Sequence, residues 1–268
     1  MAHEVVRTRA GALAVRSVEA GEIMHPGVGP LVEADALYVR QSRLAERLRA
    51  AESPLVLFDV GLGAGSNALA ARAVSEAAPP GAARLELVSF ERDLGALALA
   101  LDHAAAFGLA GEPGDAARAL LAGGRHETAR TLWRLDRGDL SETLSAEPAR
   151  AHLVYWDPFS PRANPALWTI AAFSALRAAA AEDCTVITYS ASTATRVALL
   201  LAGWAVGVGD PIGDKAQTTI AATDARALYR PLPRAWLSRL RLPSAPMPAD
   251  APTDAAARAA AAPQFASG

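Results

Sequence analysis

From Leu55 onward, short apolar runs of β type alternate with Ala/Leu-rich stretches of helical length, and this alternation constrains the fold more than any other feature. It predicts strands over 55–60, 85–90, 131–135, 152–156, 185–189, 204–208 and 217–222, with helices over 66–77, 94–106, 166–181 and 193–202. Strands separated by helices of this length imply βαβ units and a parallel sheet covered on both faces. Asn164-Pro165 supplies a helix start, asparagine as the cap and proline at the first helical position. The last two strands are joined by a short Gly/Pro connection that leaves no room for a crossover helix, so they must be antiparallel. The expected class is α/β, a mostly parallel seven-stranded sheet ending in an antiparallel hairpin.

Residues 1–53 precede this pattern as an N-terminal extension with a lid-like loop, Met24-His25-Pro26-Gly27-Val28-Gly29-Pro30, and a helix from about 39 to 51. The ligand-binding domain is expected over 54–230. Residues 231–268 form a Pro/Ala-rich tail, poor in large apolar residues, whose end is expected to be disordered.

Hydrophobic residues make up 51% of the 268, enough for a sizeable core. Twenty-six basic against 28 acidic residues give a net charge of −2, with no general attraction for nucleic acid or an anionic membrane. Lys215 is the only lysine. Cys184 is the only cysteine, which excludes an internal disulfide, and one Cys with five scattered His argues against zinc. No apolar signal core opens the chain, and no uncharged apolar run reaches the ~18–20 residues that cross a bilayer. The chain therefore reads as a cytoplasmic, soluble protein with no metal and no membrane partner.

Leu57-Phe58-Asp59-Val60-Gly61-Leu62-Gly63-Ala64-Gly65-Ser66-Asn67 is an apolar strand running into a glycine-rich turn and then a helix. Glycines at the carboxyl end of the first strand let backbone approach a ligand in the crevice of an open α/β sheet. Asp59, just before the loop, is suited to hydrogen-bond a cofactor's amino-acid part. Glu91 closes the second strand, where a carboxylate takes ribose hydroxyls, and Asp139 follows the third, where it can reach an adenine amino group or cap a helix. Gly63-Ala64-Gly65-Ser66-Asn67-Ala68 also matches the G-x-G-x-x-A form of NAD sites. The start of the glycines at Gly61, Asp139 and the terminal hairpin favour S-adenosylmethionine in a Rossmann-like methyltransferase. The predicted cofactor set is Asp59, Gly61, Gly63, Gly65, Glu91, Asp139 and Asp157.

The apolar strand at 152–156 delivers Asp157-Pro158-Phe159 to the same end of the sheet. An amine methyltransferase needs a group that aims the nitrogen lone pair and accepts its hydrogen bonds, and a flat apolar surface for the substrate ring. Asp157 and Phe159 on a proline-stiffened turn meet both needs. In-line positioning supplies most of the rate, and Asp157 can also receive the amine proton.

Asp157-Pro158-Phe159-Ser160-Pro161-Arg162-Ala163-Asn164-Pro165-Ala166-Leu167-Trp168 resembles the D-G-F-A-P-x-x-N-P-x-x-W segment of the methyltransferase domain of the MnmC family. Gly61-Leu62-Gly63-Ala64-Gly65-Ser66-Asn67 is similar to its G-F-G-T-G-L-N loop, and Ser89-Phe90-Glu91-Arg92 to its S-x-E-K strand end. Thr195-Arg196-Val197, Ala202-Gly203-Trp204 and Gly213-Asp214-Lys215 follow in the family's order, so the likeness spans roughly 33–222. It implies methylation of the aminomethyl group of wobble uridine in tRNA, with Asp157 at the reacting amine and Phe159 against the uracil. This chain has Ile23-Met24-His25-Pro26 where the family has Y-F-S, and Pro158 where it has glycine. It carries no FAD-dependent oxidase segment, which implies a stand-alone form.

Two other functions fit the composition. A near-neutral chain suits methyl or aminopropyl transfer to a small-molecule amine, and the glycine loop alone suits a non-catalytic cofactor- or RNA-binding module. His25 and Glu33 read as loop residues, with part of a lid over the pocket as the alternative. Tyr38 reads as a packed tyrosine with its hydroxyl at the surface, with an approach to the cofactor as the alternative, and Cys184 reads as an inert buried thiol. Trp168 and Trp204 read as core. Lys215 and Arg196 read as exposed charges near a sheet edge or as contacts for RNA phosphates.

Overall fold

The computed structural model describes residues 2–213, 215–242 and 244–266. Asp214 of the Gly213-Asp214-Lys215 motif and the last two residues of the tail lie outside the described residues.

Strands β4 (Leu55–Val60), β5 (Leu85–Glu91), β6 (Arg125–Glu127), β7 (Thr131–Arg137), β8 (Ala151–Trp156), β9 (Ala180–Thr188), β10 (Ala205–Gly209) and β11 (Thr218–Ala222) form one sheet. Their order is β10-β11-β9-β8-β4-β5-β7-β6. The four pairings among β9, β8, β4, β5 and β7 are parallel, and β10–β11, β11–β9 and β6–β7 are antiparallel. The sheet has eight strands where seven were expected. The additional one, β6, is a three-residue polar edge strand (Arg-His-Glu) that has no hydrophobic run to announce it.

All six residues of β4 are buried, because helices cover both faces. Val56, Phe58 and Val60 point into one apolar layer with Val154, Trp156 and Phe173. Leu55 and Leu57 point into the other with Leu85, Leu87 and Tyr155. Each such side chain stabilises the fold by about 1.5–3 kcal/mol relative to exposure. From β4 the chain proceeds outward to β5 and β7, then returns to β8 on β4's other side. The strand order therefore reverses between β4 and β8, which opens a crevice at their carboxyl ends.

The covering helices are α3 (Ser66–Glu76), α4 (Gly95–Asp102), α5 (Glu112–Gly123), α6 (Leu140–Ala146), α7 (Ile170–Ala178) and α8 (Thr193–Leu201). The helix expected over 166–181 is two pieces. Pro165–Trp168 is a 3-10 turn, and Asn164 accepts no capping hydrogen bond. Thr169 caps α7 instead, accepting from the Ala172 N–H.

Ahead of the sheet, β1 (His3–Arg7), β2 (Leu13–Ser17) and β3 (Glu22–Ile23) make a small antiparallel sheet. Next come α1 (Pro30–Glu33), a π-helical turn over Ala34–Val39, and α2 (Leu44–Ala50). The single helix expected from 39 to 51 is interrupted at Arg43, which takes a left-handed φ of 53°. Val15, Leu37, Tyr38, Leu44 and Leu48 share a core with Leu57.

The tail also departs from expectation. A 3-10 segment Arg234–Arg241, α9 (Ala255–Ala260) and a turn Pro263–Phe265 pack Trp236, Leu240, Ala259 and Phe265 against Trp204 and Val206. Gln264 pairs with the Val206 backbone, accepting its N–H at 2.6 Å and donating to its carbonyl at 3.1 Å. A few well-spaced aromatic anchors therefore order a segment whose average composition reads as loose. Among the described residues, no helix is long and apolar enough to cross a membrane.

Candidate active site

The β4–α3 loop turns away from the sheet with Gly61, Gly63 and Gly65 at φ 88°, 54° and 87°, a region costly for any residue with a Cβ. At Gly61 a Cβ would sit 2.7 Å from the Asp157 carbonyl oxygen, so the glycine lets the two loops touch. Gly63 N–H donates to Glu91 Oε2 at 3.1 Å. Arg92 and Asp93 N–H groups donate to the other oxygen at 2.8 and 3.0 Å. Three amide donors thus fix the Glu91 carboxylate, and Oε2 keeps spare capacity to accept a hydroxyl.

A cavity of about 790 Å3 opens over these strand ends. Gly61, Gly63, Glu91, Asp139, Asp157 and Phe159 all line it. Two predicted residues do not. Asp59 is fully buried beneath the loop, where Ser89 Oγ donates to it at 2.8 Å and its second oxygen has no partner. Burial, with Asp157 and Glu91 nearby, pushes its pKa up to about 7 against the Ser89 hydrogen bond. Gly65 faces Leu97 in the core. Asp139 caps α6, accepting from the Ser141 N–H at 2.9 Å, and it also lines the cavity.

The Asp157-Pro158-Phe159 turn is held from several sides. Asp157 N–H donates to the Val60 carbonyl at 2.9 Å, Tyr189 Oη donates to the Pro158 carbonyl at 3.0 Å, and Trp168 Nε1 to the Phe159 carbonyl at 2.8 Å. Glu22 of β3 accepts from both the backbone and the hydroxyl of Ser160. The Asp157 side chain is 15% exposed; Asn67 Nδ2 donates to Oδ2 at 2.7 Å and His25 Nε2 lies 3.5 Å from the same oxygen. Burial pushes its pKa above the usual carboxylate range, although His25, Asn67, Tyr38 and Lys215 all favour its charged form.

Several residues that read as bystanders lie at this centre. His25 and Glu33 line the cavity with their ring and carboxylate 3.7 Å apart. Tyr38 is wholly buried, its hydroxyl not at the surface, and its ring centre lies 5.1 Å from that of Tyr155, the rings tilted by 40°. Lys215 also lines the cavity, its ammonium 4.1 Å from the centre of the Tyr189 ring. Arg196, by contrast, is 3% exposed and bonded to Gln217, Thr218 and Thr219, so it is neither an exposed charge nor a phosphate contact. Cys184 is buried, which pushes its thiol up to about 12. Asn67 and Tyr189 were not singled out by sequence reasoning. The position of Asn67 on the first turn of α3, just past the glycines, was the available signal; Tyr189 had none. Among the described residues, no cluster of three or more His, Cys, Asp or Glu could hold a metal ion.

Residues 123–224 match the model of a family described as S-adenosyl-L-methionine-dependent methyltransferase. The bifunctional protein MnmC of tRNA 5-methylaminomethyl-2-thiouridine biosynthesis from Burkholderia mallei is 34% identical over 198 residues, 69% of this chain and 30% of that protein. Its counterpart from Burkholderia pseudomallei matches to the same extent. The chain therefore spans about 30% of the length of these curated relatives. The crystal structure of MnmC2 from Aquifex aeolicus superposes with a TM-score of 0.74 at 27% identity, covering 92% of this chain and 78% of that one.

Fold, crevice and family match together define a Rossmann-like S-adenosylmethionine-dependent methyltransferase. Within that class the chain belongs to the methyltransferase part of the MnmC family.

Proposed function

We propose that the protein transfers a methyl group from S-adenosylmethionine to a primary amine, the aminomethyl group of wobble uridine in tRNA. The observation that carries this reading is Asp157: a carboxylate fixed by Asn67 at the end of β8, facing the cavity beside the aromatic ring of Phe159. The residues present fit the cofactor. Gly61 and Gly63 line the cavity where the β4–α3 loop turns over the strand ends, and Glu91 offers an amide-clamped acceptor to the ribose hydroxyls. Asp139, which lines the cavity, takes the adenine amino group in this reading. When bound, the cofactor supplies an electrophilic methyl group on a sulfonium.

The rest falls to the chain's own side chains. Asp157 accepts the amine's N–H bonds and so points the nitrogen lone pair inward. Phe159 packs against the uracil. The apolar rim at Met24, Pro26 and Leu167 excludes water. Such positioning is worth about 7–11 kcal/mol of barrier when complete. Arg92 and Lys215, at the same cavity, provide positive charge beside a nucleic-acid substrate despite the net charge of −2. The MnmC relatives are named for tRNA modification, which agrees with this acceptor and with a cytoplasmic setting.

The test is incorporation of labelled methyl from S-adenosylmethionine into tRNA bearing 5-aminomethyluridine. Transfer that weakens steeply with salt, as phosphate contacts require, supports the reading. Cofactor binding with no transfer to that tRNA overturns the acceptor, and salt-insensitive turnover of a free polyamine reassigns it to a small amine.

A further inference from the structure

A primary alkylamine is protonated near neutral pH, so one N–H bond must break before its nitrogen can attack carbon. Asp157 can receive that proton, but a buried carboxylate that keeps it cannot serve the next turnover. The structure supplies an onward path. His25 Nε2 lies 3.5 Å from Asp157 Oδ2, and His25 Nδ1 lies 3.7 Å from Glu33 Oε2. The side chains of Asp157, His25 and Glu33 are 15%, 12% and 13% exposed, enclosed yet reached by solvent. Gly27 N–H donates to Glu33 Oε1 at 2.8 Å and fixes that carboxylate. His25 holds its place with a φ of 54°, a left-handed conformation that a non-glycine residue adopts only when its surroundings impose it.

We propose that His25, acting through Asp157 and oriented by Glu33, relays the proton of the substrate ammonium out of the site. The inference rests on the amine-methyltransferase reading above. The amine N–H bond breaks and its electron pair stays on nitrogen. The proton passes to Asp157 Oδ2 and then to His25 Nε2, while the Nδ1 proton leaves toward Glu33 and solvent. The freed lone pair then forms the new N–C bond as the methyl–sulfur bond breaks, its electron pair staying on sulfur, so the spent cofactor leaves as the neutral thioether. One proton is released per methyl transferred, and no further reactant is needed. Where the family pattern reads Y-F-S this chain reads Ile23-Met24-His25-Pro26, so the relay is a feature of this chain's own residues.

Four charged or titratable groups face His25: Glu33 of α1, Asp157 after β8, Lys215 between β10 and β11, and Asp59 of β4. The phenols of Tyr38 and Tyr189 stay neutral. Burial works against the charged imidazole, but Glu33 and Asp157 outweigh both burial and Lys215 and raise its pKa above the usual 6.5. In the resting site the protonated ring is therefore favoured relative to a free imidazole. It must lose that proton before it can accept another, so kcat/KM rises as pH climbs through the raised value.

The experiment combines an NMR titration of the imidazole signals with kcat/KM–pH profiles of methyl transfer to 5-aminomethyluridine tRNA. It compares the wild type, Glu33→Gln and His25→Gln. The signal absent from His25→Gln is expected to titrate above 6.5 in the wild type and at least about one unit lower in Glu33→Gln. The acid limb of kcat/KM moves to lower pH with it, and His25→Gln loses roughly 10²-fold near neutrality. Should His25→Gln not fold, the joint shift in Glu33→Gln alone decides. A Glu33→Gln limb that stays put while the imidazole pKa moves overturns the relay, as does a His25→Gln protein with wild-type rates. A wild type that transfers no methyl to any amine, with the imidazole titrating as expected, overturns the amine reading itself and the relay with it.

Discussion

Asp157 and Asp59 sit one strand apart at the same end of the sheet, and their surroundings separate their roles. Asp157 reaches the cavity and is bonded by Asn67. Asp157→Asn keeps the shape and a hydrogen-bond acceptor but loses the charge, so it should lower kcat by about 10²–10⁴-fold. Steady-state kinetics beside a cofactor titration checks this, the affinity for S-adenosylmethionine changing far less. Asp59 is buried with one oxygen unpartnered and titrates at about 7. A carboxyl whose folded pKa lies above its unfolded value binds more protons when folded, so stability falls as pH rises from 3.8 to about 7. Asp59→Asn removes that cost. Its melting temperature should exceed the wild type's at about pH 8, by the equivalent of a few kcal/mol, and match it at about pH 4.

At the level of elements, the site depends on two loops that touch. Gly61→Ala would place a methyl 2.7 Å from the Asp157 carbonyl in a left-handed conformation. We expect a loss of about 1–3 kcal/mol in stability, read by urea unfolding, and a fall in kcat larger than that loss explains. How much of this was legible follows the same division. β4, β5, β7, β8, β9 and the β10–β11 hairpin announce themselves because buried strands are continuous apolar runs, and the glycine loop and Asp157 turn because they close such runs. The N-terminal sheet does not: β1 (His-Glu-Val-Val-Arg) and β2 (Leu-Ala-Val-Arg-Ser) are five residues each, with only two or three consecutive apolar residues and no alternation to mark them as strands. α5 hides behind Pro113 and Gly114 in its first turn. His25 and Glu33 read as loop because nothing local reveals that 132 residues later the chain brings Asp157 beside them.

Across the whole molecule, both ends of the chain complete the fold. β3 supplies Glu22 to brace the Asp157 turn at Ser160, and the tail seals one core layer with Trp236 and Phe265. Phe265 is 4% exposed, so Phe265→Ala should cost about 3 kcal/mol, visible as a melting temperature lowered by several degrees. A variant that melts like the wild type would mean the tail is not docked in solution. The fold alone states only the reaction class. The acceptor depends on the chemistry at Asp157, Phe159, Lys215 and Arg92, which no property of the sheet dictates.

All of these roles require S-adenosylmethionine to lie across the ends of β4 and β5, with its ribose on Glu91. Parallel calorimetric titrations of the wild type and Glu91→Ala with S-adenosylmethionine and with NAD test that directly. Saturable binding of S-adenosylmethionine alone, weakened at least about tenfold in Glu91→Ala, is the expected result. NAD binding in its place, or an affinity indifferent to Glu91, would contradict the account.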